Sequence, residues 1–193
     1  MATTIDDRNG GIHRRDFIYI GTGAFAALGA AAAIWPVIDQ LNPDASTLAQ
    51  ASIEVDLAPI QAGQAITVLW RGKPLFIRNR TPEEVEKANA VDVKTLKDPD
   101  AEVMGTTGLP ATDENRTKKN KQNWLVLIGV CTHLGCIPKG QTAGDDKGPY
   151  GGWFCPCHGS AYDTSGRIRQ GPAPRNLEVP PYRFIEENKI KVG

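Results

Sequence analysis

Residues 131–136 read CTHLGC, and residues 155–160 read CPCHGS. These two motifs hold all four cysteines and two of the three histidines of a 193-residue chain. Each motif offers one thiolate and one imidazole, with a second cysteine besides. Because thiolates and imidazoles are ligands for transition metals, two such loops can hold a metal centre between them.

The residues alone leave the type of centre open. A structural zinc site with two Cys and two His would use four ligands and leave two cysteines over. In an oxidising compartment those two cysteines can form a disulfide that joins the loops. Counting alone allows Cys136 and Cys157 to be the disulfide and Cys131 and Cys155 the ligands, or the reverse.

A long apolar run lies near the N-terminus. Residues 17–35, FIYIGTGAFAALGAAAAIW, contain no charged side chain, and the apolar character continues to Ile38. About 22 residues at ~1.5 Å rise give ~33 Å, enough to cross a bilayer core of ~30 Å. We therefore predict a transmembrane helix over residues 17–41, surrounded by lipid. The alternative, a buried core helix, is disfavoured because the run is terminal and apolar all round.

Arg14 and Arg15 stand directly before this run. The pair resembles a twin-arginine export signal, although His13 stands where the fullest form has Ser or Thr. The small-residue sequences at 31–33 and 49–51 are poorly placed for cleavage, so we expect the segment to be kept as an anchor. With residues 1–16 in the cytoplasm and the helix in the bacterial inner membrane, the C-terminal domain would lie in the periplasm.

The remainder of the chain predicts a linker and a mainly β domain. Residues 42–52, NPDASTLAQAS, have linker composition and could be a passive spacer or a hinge before a domain at 53–193. One helix is predicted from Pro82 to about Ala90, because Thr81 and Glu84 can form a capping box. The strands are predicted at 52–56, 65–70, 75–78, 124–130, 167–169, 177–179, 183–186 and 189–192. Residues 92–122 are expected to be an irregular surface excursion, and the glycines from 140 to 152 a flexible loop. The net charge is zero and no basic stripe is present, which argues against a nucleic-acid partner.

The double motif resembles the Rieske iron–sulfur signature of cytochrome bc-type complexes. The resemblance extends to residues 67–78, TVLWRGKPLFIR, and residues 171–182, GPAPRNLEVPPY. The WRGKP segment points to the ubiquinol–cytochrome c reductases over their plastoquinol counterparts. The resemblance implies a Rieske-type antiparallel β-sandwich with a cluster-binding subdomain at about 130–175, plus the N-terminal transmembrane helix.

The resemblance also implies roles for single residues. One 2Fe–2S cluster would be bound by Cys131, His133, Cys155 and His158, with Cys136 and Cys157 in a disulfide. The hydroxyls of Ser160 and Tyr162 would donate hydrogen bonds to a cluster sulfide and to the first ligand sulfur, which indicates the high-potential type. Leu134 would pack beside the exposed histidines. Gly171 and Pro172 belong to a proline loop, 171–174, that covers the cluster.

The function implied by the resemblance is electron transfer coupled to proton transfer. His158 would contact ubiquinol, and the cluster would take one electron at cytochrome b and pass it to a c-type cytochrome subunit. In the family the head moves between these partners, which favours the hinge interpretation of residues 42–52, and we expect a dimeric complex. Two alternatives are the small Rieske subunit of a molybdenum oxidase such as arsenite oxidase, and a zinc-stabilised interaction module without a redox role.

Overall fold

The computed structural model describes residues 13–49 and 51–193. The chain divides into an N-terminal unit that ends at Thr47 and a second unit, Leu48–Gly193. Most of the predicted cytoplasmic segment, residues 1–12, lies outside the described residues.

The N-terminal unit contains the predicted apolar helix. Helix α1 is Arg14–Asp39, so it begins earlier than predicted and includes the arginine pair. The carboxylate of Asp16 accepts a hydrogen bond of 3.0 Å from the backbone N–H of His13 at the helix start. A carboxylate in the first turn also complements the helix dipole. No residue of α1 is buried, and the helix is long and apolar enough to cross a membrane.

The predicted linker is partly helical. Helix α2 is Ala45–Ala49 and falls inside residues 42–52. The Asp44 carboxylate accepts hydrogen bonds from the Thr47 N–H at 2.8 Å and the Ser46 hydroxyl at 2.7 Å, and these contacts lower the pKa of Asp44. This Asp at the helix start is a capping signal that the small, polar composition concealed.

The second unit is mainly β, which confirms the predicted fold class. Its described residues form nine strands: β1 Ile53–Asp56, β2 Ala65–Trp70, β3 Lys73–Asn79, β4 Trp124–Ile128, β5 Gly151–Cys155, β6 Ser160–Asp163, β7 Ile168–Gln170, β8 Tyr182–Glu186 and β9 Lys189–Val192. They make three antiparallel sheets with the orders β1-β9-β8, β2-β3-β4 and β5-β6-β7. Apolar side chains from all three sheets share one core, and β4 is buried along its whole length.

Two predictions about the strands of this unit were wrong. Residues 177–179 are not a strand, because Val179 makes only an isolated bridge to Val103. The glycine-rich loop was predicted to include residues 151 and 152, but β5 begins at Gly151. A Cβ on Gly152 would collide with the Asp163 carbonyl, so this glycine permits close strand contact.

The predicted capping box is present in helix α3, Pro82–Asn89. The hydroxyl oxygen of Thr81 accepts from the Glu84 N–H at 3.3 Å, and the Glu84 carboxylate accepts from the Thr81 N–H at 3.2 Å. The same carboxylate receives the Arg78 guanidinium, with the Nε–oxygen distance 3.1 Å. Glu84 therefore both caps α3 and holds this helix against β3, which contains Arg78.

Residues 92–122 do not simply cross the surface, so that prediction was wrong. They contain a 3₁₀ helix, Val93–Thr95, and a one-turn helix α4, Asp113–Arg116, whose first and last side chains are buried. Asp113 pairs with Arg80, at 2.6 Å. Arg116 donates to the carbonyls of Ser165 and Leu177, at 2.8 and 2.6 Å. Burial lowers the pKa of Arg116 to about 10, so the guanidinium is still charged at neutral pH. The side chains of Asp113 and Arg116 can stay buried because their polar groups are hydrogen-bonded.

Candidate metal centre

The first motif is a tight loop that follows the buried strand β4. The N–H of Cys131 donates to the carbonyl of Cys136 at 2.8 Å, and the N–H of Gly135 donates to the carbonyl of Cys131 at 2.9 Å. These two hydrogen bonds close the loop, so they restrain the backbone of the residues between Cys131 and Cys136.

The second motif is the turn of a hairpin. Cys155, the last residue of β5, lies opposite Ser160, the first residue of β6, and His158 is in the turn between them. Lys139 and Phe154 exchange backbone hydrogen bonds of 2.7 and 2.9 Å. This bridge ties the exit of the first loop to β5 and brings the two motifs together, as the sequence predicted.

The four cysteines differ in exposure. Cys131 and Cys155 are buried, Cys136 is half-buried and Cys157 is exposed. The Sγ atoms of Cys136, Cys155 and Cys157 lie within 4.8 Å of one another. Contact with Cys157 is the first cause of a raised pKa at Cys136. Burial raises the pKa of Cys155 to about 12, so this thiol would lose its proton only when a metal takes its place.

The rings of the two motif histidines, His133 and His158, are in edge-to-face contact. Their ring centroids are 4.6 Å apart and the ring planes are inclined by 84°. His158 is exposed, whereas Nδ1 of His133 is buried and has no hydrogen-bond partner within the described residues. An unpartnered buried nitrogen is costly in free energy. A metal at that atom would satisfy it, so the residues present fit a metal centre.

The spacing of the donor atoms bears on the type of centre. Ligands of a single tetrahedral zinc ion lie within about 4 Å of one another, because each is roughly 2.0–2.3 Å from the metal. Within the described chain, no three of Cys131, His133, Cys155 and His158 bring donor atoms within 4.8 Å of one another. A binuclear cluster, which takes two donors on each iron, does not require three donors so close together, so these four residues are compatible with it.

Two hydroxyl groups of strand β6 lie near this centre. The Tyr162 hydroxyl donates to Sγ of Cys131 at 3.2 Å, and burial raises the pKa of Tyr162, so that the hydroxyl keeps its proton. The Ser160 hydroxyl oxygen accepts from the Ala173 N–H at 3.1 Å, which leaves its own hydrogen available to another acceptor. Both residues are buried.

The segment 171–174 packs on the second motif. Gly171 has φ +95°, and a Cβ there would lie 2.5 Å from Cα of Ser160, so only glycine fits. Farther along, the Thr132 hydroxyl donates to the Arg175 carbonyl at 2.7 Å and accepts from the Arg175 N–H at 3.2 Å. The first motif, the second motif and this loop thus form one assembly.

Two exposed side chains of the assembly are apolar. The side chain of Leu134 is 70% exposed, and Pro172 and His158 are also exposed. An exposed leucine is ordinary when isolated, but here it stands beside a candidate metal ligand. Leu134 and Pro172 thus offer exposed apolar surface on the same loops as the exposed imidazole of His158.

The structure adds contacts that the sequence analysis missed. The N–H of Asn176 donates to the Asp98 carboxylate at 2.8 Å, and its side-chain amide donates to the Asp100 carbonyl at 2.7 Å. The Lys97 ammonium donates to the carbonyls of Gly171 and Ala173, both at 2.9 Å. No local pattern marks these pairs, because the partners are far apart in the sequence.

Comparison with known proteins agrees with the geometry. Residues 83–182 match the family model described as the Rieske [2Fe-2S] domain, and residues 4–44 match the one described as Ubiquitinol-cytochrome C reductase Fe-S subunit TAT signal. A ubiquinol-cytochrome c reductase iron-sulfur subunit of Rhodospirillum rubrum is 56% identical over 93% of this chain and 91% of its own length.

Further similarity covers nearly the whole chain. The corresponding subunit of Rickettsia felis is 51% identical over 100% of both chains. A chain of a solved structure described as Hyperthermophilic respiratory Complex III has a TM-score of 0.51 and 30% identity, and the match covers 90% of this chain and 98% of that one. The chain therefore belongs to the family of bacterial ubiquinol–cytochrome c reductase iron–sulfur subunits and carries their Rieske 2Fe–2S domain.

Proposed function

We propose that this chain is the membrane-anchored electron carrier of a ubiquinol–cytochrome c reductase. In this proposal it takes one electron and one proton from ubiquinol at a cytochrome b subunit and passes the electron to a c-type cytochrome subunit. The observation that carries the proposal is the pair of cysteine–histidine motifs. They bring two buried cysteines together with two histidines whose ring centroids are 4.6 Å apart, and Leu134 beside them is exposed. The relatives named above support this interpretation over a molybdenum-oxidase subunit.

We assign the cluster ligands to Cys131, His133, Cys155 and His158. Burial supports Cys131 and Cys155 as ligands, because a thiolate on iron must be protected from water and oxidants. Cys157 is too exposed for that role and is close enough to Cys136 to pair with it in the periplasm. We therefore propose a disulfide between Cys136 and Cys157 that ties the two motifs together.

The residues around the cluster set its affinity for an electron. When bound, a 2Fe–2S cluster with two thiolate and two imidazole ligands supplies a one-electron acceptor at roughly −150 to +300 mV. Tyr162 donates its hydrogen bond to the Cys131 sulfur and disperses negative charge there. Ser160 has a free hydroxyl hydrogen for a second such bond. Both donors favour the reduced, more negative state, so they support a potential toward the positive end of the range.

His158 carries the proton chemistry in this proposal. His158 is exposed, so the ring nitrogen that an iron ion would leave free could accept a hydrogen bond from a quinol hydroxyl. Leu134 and Pro172 supply apolar contacts to the quinone pocket of the partner and exclude water there. His158 then holds the quinol proton and releases it after the electron has been passed on.

We propose that α1 anchors the chain in the inner membrane with its N-terminus in the cytoplasm and the second unit in the periplasm. Three observations support this topology: the fully exposed apolar helix, the arginine pair in its first turn and the matched export-signal family. Residues 42–52 would be the hinge between anchor and head, in a complex that we expect to be dimeric.

The test is EPR spectroscopy on membranes that contain the whole complex. Ascorbate should produce the signal of a high-potential Rieske centre, and a quinol-site inhibitor should change its line shape. A zinc-containing protein would give no signal. A signal that does not respond to the inhibitor in these membranes, or a protein that does not copurify with cytochromes b and c, would refute the assignment to this complex.

A further inference from the structure

Residues 96–98 contact the loop 171–174 and the residues just after it. They belong to the segment between α3 and β4 and lie outside the two cysteine–histidine motifs. Leu96 and Asp98 are buried, and the Asp98 carboxylate accepts from the backbone N–H of Asn176 at 2.8 Å. Lys97 between them is exposed, but its backbone is fixed because both neighbouring side chains are buried.

The Lys97 ammonium makes two contacts with the loop. It donates to the carbonyl of Gly171 and to the carbonyl of Ala173, each at 2.9 Å. Two of the three donors of an ammonium group are thereby used on one loop. The two carbonyls flank Pro172, so the hydrogen bonds from Lys97 fix the orientation of the peptide groups on either side of that proline.

Ala173 links this contact to the redox centre. Its carbonyl accepts from Lys97, and its N–H donates to the Ser160 hydroxyl oxygen at 3.1 Å. Ala173 itself is fully buried, so it has little freedom to move between the two. The direction of the Ser160 hydroxyl hydrogen depends on where the Ala173 N–H is held, because that N–H occupies one acceptor site of the hydroxyl oxygen.

We infer that Lys97 is a positioning residue for the redox centre: it holds the loop 171–174 against Ser160 and thereby directs the Ser160 hydroxyl toward the cluster. This inference rests on the proposed function. Lys97 donates to the loop carbonyls and not to the cluster ligands, so its role is to raise the cluster potential through the loop. The loop held in this way also keeps water from the cluster.

The decisive experiment compares Lys97→Met, Lys97→Arg and Lys94→Met in the membrane-bound complex, by potentiometric titration of the EPR signal. In Lys97→Met we expect the ratio of reduced to oxidised cluster at fixed potential to fall about three- to tenfold. For a one-electron couple, at about 59 mV per tenfold, that is roughly 30–60 mV. Lys97→Arg keeps donors for the carbonyls and should recover most of this loss. Lys94→Met removes a neighbouring exposed lysine charge and should have no effect.

Two further measurements separate positioning from simple charge. In a Ser160→Ala background, Lys97→Met should cause little additional change, because the two residues act in series. The effect of Lys97→Met should also persist at about 1 M salt, where the Debye length is about 3 Å and a distant surface charge would be screened. On warming, the cluster of Lys97→Met should be lost several-fold faster, as followed by visible circular dichroism.

The inference is overturned if Lys97→Met matches the parent potential, if its effect disappears in high salt, or if it adds in full to Ser160→Ala. Failure of the proposed function is a different result: the unmodified protein would then show no ascorbate-reducible EPR signal.

Discussion

Replacing Tyr162 by Phe tests the electrostatics of the centre at a single atom. The substitution removes the hydroxyl that donates to Sγ of Cys131 at 3.2 Å and leaves the buried ring in place. Reduction of the cluster adds negative charge to the sulfur ligands. A donor to that sulfur therefore binds the reduced state more strongly, and its loss should lower the midpoint potential.

The size of the effect follows from the type of bond. A hydrogen bond to a charged acceptor contributes about 1.5–3 kcal/mol, and if a third to a half of it depends on the oxidation state, the difference is about 1 kcal/mol. Since about 1.4 kcal/mol is a factor of ten, and a factor of ten is about 59 mV for one electron, we expect a decrease of roughly 40 mV. Quinol oxidation should slow accordingly, because the electron acceptor is weaker.

The assay is an EPR redox titration with Tyr182→Phe as the matched control. Tyr182 is also buried, but its hydroxyl has no hydrogen-bond partner within the described residues. The control therefore removes the same atom at similar burial without breaking a bond, and its potential should equal that of the parent. An unchanged potential in Tyr162→Phe, or an equal decrease in both variants, would contradict the role given to this hydroxyl.

Three other changes test the loops and the linker. Gly171→Ala places a Cβ 2.5 Å from Cα of Ser160 at φ +95°, so the loop must move, and we expect a several-fold faster loss of cluster absorbance on warming; retention at the parent rate would contradict the packing. Cys136→Ser should labilise the cluster to a similar degree, and a reductant should reproduce this in the parent but not in the variant, which thiol labelling can check. Several prolines inserted in residues 42–52 should reduce turnover at least severalfold with an intact EPR signal, whereas normal turnover would exclude a hinge.

Local signals in the sequence predicted the local structure well. The apolar run at 17–35 predicted α1, the pair of Thr81 and Glu84 predicted the capping box of α3, and the apolar run after Trp124 predicted a fully buried strand. In each case the residues that determine the structure belong to a single helix or strand. The hydrogen-bonding groups and the spacing of apolar residues within that element then favour a single local structure.

Predictions failed where the determining partner is distant in sequence. Residues 92–122 were expected at the surface because they are polar, yet Asp113 is buried against Arg80. Arg116 donates to the carbonyls of Ser165 and Leu177, which lie in loops far along the chain. A polar side chain can be buried when all its hydrogen bonds are satisfied, and composition does not reveal whether that happens. The glycines at the start of β5 were predicted to be flexible for the same reason, since their tight contact with β6 exists only in the folded sheet.

The sequence by itself determined the chemistry of the two cysteine–histidine motifs: the types of ligand, their spacing and the family to which they belong. It left open which cysteines could be ligands, because thiols are alike when counted. Tertiary structure separates them by exposure, since Cys131 and Cys155 are buried while Cys157 is exposed, and this supports the ligands proposed above. It also brought Lys97 and Asp98 into contact with residues 171–176, a long-range contact that no local pattern encodes. Burial and long-range hydrogen bonding depend on the whole fold, which is why only the structure could supply them.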